Sequence, residues 1–303
     1  MLKSITSLLL LGLLMTSTLV KAEVIHQERS LYRNILVEDN NDLRCLKFNT
    51  RSTQTQQSCF LKSQPDHLVF NYTKLLMASL LFNTQPKRIL IVGLGGGTMS
   101  NTLAQLYPQS EINNIEIDPA VIKVARDYFG FLENNKIKTY AQDGRIFIKR
   151  ALLKKESYDW IILDAFNGDY IPEHLMTKEF LQEAKALLSD NGILSANTFS
   201  LSKLYAHESA TYKAVFGDFY QVTNNANSNR IIVVSKNGFS NNRINNSLNK
   251  QNVDKLDKTL SYYGVDIPLL YRKMINTKNN QDWPNDTRVL TDQFSPANLL
   301  NVK

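Results

Sequence analysis

Four glycines and four acidic residues between positions 93 and 164 have types and spacing that could do chemistry. The glycines at 93, 95, 96 and 97 follow the apolar run Arg88–Val92 and precede a segment of helical composition. Strand, glycine turn and helix build a nucleoside pocket in open α/β sheets. Glycine lets the backbone approach a ligand closely, and the helix start offers free N–H groups. The acids are Glu116 and Asp118, then Asp143, then Asp164. Each falls where an apolar run ends, and ligands in such sheets sit beyond the carboxyl ends of the strands. A carboxylate at Glu116, with Asp118 nearby, suits ribose hydroxyls. Asp143, followed by Gly144, suits an adenine amino group. Asp164 would face the reacting atom.

The nucleoside is narrowed by what is missing. A dinucleotide fingerprint wants a further glycine at 98, and that position is Thr98. The spacing Gly93-x-Gly95-x-Gly97 is instead that of S-adenosylmethionine binders. A sulfonium donor needs no phosphate cradle.

The elements that must position these residues can be read in order. Residues 28–48 alternate loosely through Leu31, Ile35, Val37, Leu43 and Cys45, with turn chemistry at Asn40-Asn41-Asp42. They predict a small antiparallel β unit, to which 60–62 could add a strand. Pro65-Asp66 opens a predicted helix running to Asn83. Strands are then predicted at 88–92, 111–117, 136–140, 158–163, 193–197, 219–222 and 230–235. Helices fall between the first five, and one at 207–216 leads to the sixth. Asp118-Pro119 reads as a helix start, and Gly192 as lying just past a helix that ends at Leu188. The result is a seven-stranded parallel α/β sheet with an antiparallel C-terminal edge. Residues 237–252, rich in asparagine, read as a flexible loop. A helix follows at 253–263, and Trp283 to Leu300 is expected to pack back on the core.

The domain division is 1–22, 23–64 and 65–303. The first segment has Lys3, an apolar stretch from Ile5 to Leu14, and small residues around Val20-Lys21-Ala22. It reads as a secretory signal peptide, too short in its apolar core to span a membrane. An exported chain that starts near Glu23, with no membrane segment after cleavage, is expected. Its two cysteines, Cys45 and Cys59, would meet an oxidising compartment, where a disulfide is plausible. The net charge of +7 is spread along the chain rather than clustered, so no nucleic-acid partner is expected. The four histidines, His26, His67, His174 and His207, show no metal spacing and read as structural or surface residues.

The segment from Leu90 to Asn197 resembles the spermidine synthase (aminopropyltransferase) family, which is built on the methyltransferase-like, Rossmann-like fold. The resemblance is carried by Ile117-Asp118-Pro119, by Asp143-Gly144-Arg145, by Asp164-Ala165-Phe166-Asn167 and by Leu290-Thr291-Asp292 with Pro296. It implies that Gly93, Gly95 and Gly97 shape the donor pocket. Glu116 would hold the ribose with Asp118 nearby, and Asp143 with Gly144 would take the adenine. Asp164 would be the catalytic residue beside the acceptor amine. Asn167, Asp169 and Tyr72 would touch the substrate. The implied reaction moves an aminopropyl group from decarboxylated S-adenosylmethionine to an amine such as putrescine, without a metal. A homodimer is implied in the same way. Two positions depart from the family's pattern: Gly96 and Asn167 stand where the family usually carries aspartate. Two other readings stay open. One is a methyltransferase using intact S-adenosylmethionine, and the other is a non-catalytic nucleoside- or polyamine-binding protein.

Overall fold

In a computed structural model of the protein, the described residues are 22–49, 54–166, 170–223 and 228–296. The predicted signal segment, up to residue 21, lies outside them, as do Asn167 and Asp169.

The N-terminal unit is a four-stranded antiparallel meander: β1 (Glu23–Arg29), β2 (Asn34–Asn40), β3 (Leu43–Asn49) and β4 (Gln54–Leu61). Alternation sets its faces. Ile35, Val37, Leu46 and Phe48 form one buried face, packed on Val121, Val124 and Phe129 of the next unit. Leu31 does not continue this pattern. It stands at the tip between β1 and β2 and is 99% exposed. Cys45 and Cys59 are directly opposed across β3 and β4 and are joined by a disulfide.

The helix predicted from Pro65 begins later, as α1 (Asn71–Met77), and ends in a single 3-10 turn at Ala78–Leu81. Asp66 does not cap it. Its carboxylate instead accepts from Gln105 Nε2 (2.7 Å) and the Tyr262 hydroxyl (3.1 Å), which holds the segment before α1 in an irregular path.

The α/β unit follows: β5 (Arg88–Val92), α2 (Thr98–Leu106), β6 (Glu111–Glu116), α3 (Pro119–Phe129), β7 (Ile137–Ala141), α4 (Gly144–Leu153), β8 (Tyr158–Leu163), α5 (Lys178–Leu187), β9 (Leu188–Phe199), α6 (Tyr205–Phe216), β10 (Tyr220–Thr223) and β11 (Asn229–Ser235). Strands β5 to β9 run parallel, while β11 and β10 run antiparallel at the edge. With β12 (Ile275–Asn276) at one edge, the order is β12-β10-β11-β9-β8-β5-β6-β7. Among the described residues the sheet therefore has eight strands rather than the seven predicted. The extra one, β12 (Ile275–Asn276), is two residues long and adds to β10. It is too short to show any period.

Two apolar layers cover the sheet. Trp160 belongs to one of them, and its indole N–H donates to Ser195 Oγ (2.8 Å), so its burial leaves no orphan donor. Phe180, Leu181 and Tyr212 belong to the other.

Gly192 is no helix cap. Strand β9 starts at Leu188, and Gly192 closes a bulge where the pairing moves from Tyr158↔Leu188 to Trp160↔Ile193. Nor is 237–252 a loop. It contains α7 (Asn241–Ser247) and the start of α8 (Lys250–Leu260), capped by the side chains of Ser240 and Asn249. Polar residues that suggest a loop serve here as caps. Helix α9 (Ile267–Lys273) follows. The C-terminal segment packs back as expected. Trp283 stacks on Phe219 at 5.7 Å, and Leu290 is fully buried. Arg145 clamps this segment by reaching both Glu183 and Asp292.

Truncation of Leu290 to Ala should cost about 2–5 kcal/mol in chemical denaturation. Leu153→Ala, at an 85% exposed site, should stay within about 0.5 kcal/mol of the parent chain.

Candidate active site

Strand β5 lies between β6 and β8, so the chain turns to opposite sides of the sheet at this point. A crevice is expected beyond the carboxyl ends of strands at such a switch. A cavity of about 1290 Å³ opens there, and Gly93, Glu116, Asp143, Asp164 and Asn197 all line it. No metal-binding group of three His, Cys, Asp or Glu occurs among the described residues.

The glycine turn is shaped by contact as much as by conformation. Gly93 has φ 99°, and a Cβ on it would fall 2.3 Å from the Asp164 carbonyl oxygen. Its N–H donates to Ile115 O (2.8 Å), so the turn crosses between two strand ends. Gly95 lines the cavity. Gly97 does not. It takes φ 76° as the residue before α2, and a Cβ there would strike the Phe131 ring at 2.6 Å. Its need is close packing behind the pocket rather than ligand approach. Gly96 also faces protein, where an added Cβ would meet Phe129 and Ser58, each at 2.8 Å. An acidic side chain has no room there.

Glu116 is buried at the end of β6. It accepts from the N–H of Leu94 (3.2 Å) and of Asp118 (3.0 Å). Burial raises its carboxyl above the ordinary value, and the two N–H groups oppose that rise. Asp118, expected beside the ribose, is not in the cavity wall. Its carboxylate caps α3 through Ala120 N–H (3.0 Å) and accepts from Ser30 Oγ (2.6 Å). The N-terminal unit consumes this acid, which excludes it from the pocket.

Asp143 caps α4 through Ile146 N–H (2.9 Å), and its other oxygen lies 2.7 Å from His174 Nε2. The imidazole holds this carboxyl below the ordinary value. His174 is exposed, as its isolation in sequence suggests, and it also lines the rim of the same cavity. Gly144 lines the cavity as well, with Val92 so close that a Cβ would sit 2.5 Å from it.

Asp164 ends β8. It faces the cavity but is otherwise enclosed by protein. Burial pushes its carboxyl up to about 7, while bonds from Asn197 and Tyr72 restrain the rise. The Asn197 amide donates to Oδ1 at 2.8 Å. Tyr72, named from the sequence, is thus in contact with Asp164, and burial drives its hydroxyl well above the ordinary value. Asn197 was not foreseen. Its position at the end of the strand predicted at 193–197 is the sequence signal that marks it, although β9 itself runs on to Phe199. Gln142, beside Asp143, also lines the wall.

A second wall comes from the N-terminal unit. Tyr32, Arg33, Phe48, Gln57 and Ser58 face the cavity. Arg33 donates to Phe166 O (3.3 Å) and lies over the Phe48 ring at 4.3 Å. Nothing in a short polar turn such as Ser30 to Arg33 forecasts this reach.

The cavity thus brings three acids, Glu116, Asp143 and Asp164, around one space. Such a cluster favours a cationic ligand.

The spermine/spermidine synthase domain matches residues 69–221. The chain is 44% identical over 294 residues to a polyamine aminopropyltransferase of Vibrio vulnificus, with 96% of each chain covered. Its fold is similar to that of a probable spermidine synthase from Corynebacterium glutamicum, with a TM-score of 0.68 at 20% identity. That match covers 89% of this chain and 97% of the other. A spermidine synthase solved with the transition-state analogue AdoDATO has a TM-score of 0.62 at 22% identity, covering 82% and 84%. The family match over half the chain and the near full-length relative agree with the site's layout: this chain belongs to the spermine/spermidine synthase family.

Proposed function

We propose that this protein transfers an aminopropyl group from decarboxylated S-adenosylmethionine to a small amine, as a step of polyamine biosynthesis. One observation carries the assignment of the chemistry. Asp164 presents to the cavity a carboxyl whose value is lifted to about 7 and which Asn197 and Tyr72 orient. The near full-length relative named a polyamine aminopropyltransferase supports the substrate class.

The acceptor's problem is its charge. An alkylammonium has a pKa of about 10, as lysine does, so at neutral pH it holds a proton on the atom that must attack. Asp164 accepts that proton, and an acceptor raised towards neutrality suits the task. The freed nitrogen attacks the propyl carbon beside the sulfonium. The C–N bond forms as the C–S bond breaks, and the electron pair neutralises the sulphur of the departing methylthioadenosine. Holding both partners in line supplies much of the acceleration.

Donor recognition falls to the other strand ends. Glu116 accepts from the ribose hydroxyls, and Asp143 with Gln142 meets the adenine edge at the start of α4. Gly93, Gly95 and Gly144 leave the space. The acids also complement the positive sulfonium. Gly96 adds no acid to the donor tail, so Asp164 carries more of that charge complement. The apolar leader over residues 1–22 and the disulfide support an exported chain, and the family resemblance supports a homodimer.

Asp164→Asn should lower aminopropyl transfer by roughly 10²–10⁴-fold, the range of a lost general base. Methylthioadenosine should still bind in calorimetry. Full activity of this variant would remove Asp164 from the chemistry. Tighter binding and turnover of intact S-adenosylmethionine would favour methyl transfer instead.

The acid limb of kcat/KM should rise with pH and level off above about 7, because only the carboxylate accepts a proton. Asn197→Leu removes a bond that favours the carboxylate, so this limb should move to higher pH. The same group sets a sign for stability. Its folded value lies above its unfolded one, so the folded chain holds the extra proton between about pH 4 and 7. This contribution should weaken as pH rises through that window and be absent in Asp164→Asn, as followed by thermal unfolding.

A further inference from the structure

The two cysteines lie outside the cavity, yet their bond adjoins one of its walls. Along β3 and β4 the pairing is regular from Leu43↔Leu61 to Leu46↔Ser58, and then Lys47 faces Gln56. Gln57 is therefore an extra residue, a β-bulge in β4. The pair Cys45↔Cys59 is the last one before Leu46↔Ser58 at the edge of this bulge.

The bulge is where β4 meets the glycine turn. Ser58 is buried, and its Oγ lies 3.2 Å from Thr98 Oγ1, on the first residue of α2. An added Cβ on Gly95 would stand 3.7 Å from Ser58 Cβ, and one on Gly96 would stand 2.8 Å from Ser58 Oγ. The turn that shapes the donor pocket therefore rests on Ser58. A one-residue slip of a strand turns every side chain to the opposite face. Slipped here, Ser58 would leave the glycines and Cys59 would take its place. The covalent bond forbids that slip, because it holds Cys45 and Cys59 opposite each other.

We propose that the Cys45–Cys59 disulfide is a positioning device for the donor pocket. It locks the β3–β4 register at the bulge, sets Gln57 and Ser58 against the glycine turn, and so strengthens nucleoside binding in the oxidised chain. This rests on the nucleoside reading given above. Reduction by a dithiol breaks the S–S bond with two electrons and two protons. It leaves two cysteine thiols, and the reductant closes its own disulfide.

The test is calorimetric titration of methylthioadenosine into three proteins. These are the oxidised chain, the same chain after dithiothreitol with its two thiols counted, and the Cys45→Ala/Cys59→Ala double variant. Affinity should fall by roughly tenfold in the second and third, the scale of one buried hydrogen bond. The donor KM should rise by the same factor, with kcat at saturating donor changed less than about twofold. Dithiothreitol should leave the double variant unaltered. A lower thermal midpoint with unchanged affinity makes the bond purely structural and overturns the inference. Absence of binding in every form overturns the nucleoside reading and this inference with it, whereas equal binding in all three overturns the inference alone. Should the double variant not fold, Ser58→Val with the disulfide intact gives a second test. It should weaken methylthioadenosine to the same degree, and an unchanged affinity counts against the proposal.

Discussion

The site depends on the backbone contact between the glycine turn and the end of β8. A Cβ on Gly93 would sit 2.3 Å from the Asp164 carbonyl oxygen, so no other residue lets the two segments come together. Parallel pairing of β5 with β8 from Ile89↔Trp160 to Val92↔Leu163 delivers both to the same rim. The Asp164 N–H then donates to Val92 O (2.8 Å), which extends the ladder one residue beyond the strands. The glycine turn and Asp164 are thus neighbours through the backbone itself. Their spacing does not rely on flexible side chains.

Around this contact, four acids of one chemical type are driven into different roles. Asp118 is taken up by Ser30 and a helix cap. Asp143 is held below its ordinary value by His174. Glu116 is buried but satisfied by two backbone N–H groups. Asp164 is buried, its bonds from Asn197 and Tyr72 do not offset that burial, and it is lifted to about 7. Environments that push like groups apart are how one fold assigns acid and base roles. The lifted group carries a cost to stability above neutrality, which a functional site can bear when the surrounding sheet is well packed.

The N-terminal meander is part of the site's construction. Its inner face packs on α3, and its β1–β2 tip sends Arg33 to the carbonyl of Phe166, two residues past Asp164. Strand β4 meets the glycine turn through Ser58. The cavity therefore has a floor from the α/β sheet and a wall from a separate sheet, and its width follows from how the two pack.

The alternation of strand and helix, the glycine turn, and the placing of Glu116, Asp143 and Asp164 at strand ends are all legible in the order of residues. Each of these follows from local chemistry: apolar runs make buried strands, glycine permits the turn, and proline after aspartate starts a helix. Only the tertiary structure decided which of those residues share a space. Asp118 carried the same local signal as Asp143, yet Ser30, 88 residues earlier in the chain, removed it from the pocket. Gly97 looked like its neighbours until the Phe131 ring filled the place of its Cβ. His174, Asn197 and Ser58 had no motif around them, because their roles come from partners far away in the chain. Strand β12 and helix α7 were missed for the related reason that two residues have no period and asparagine signals caps as readily as loops. Local pattern reports what one segment prefers. Burial, charge shift and cavity membership arise between segments, and only packing sets them.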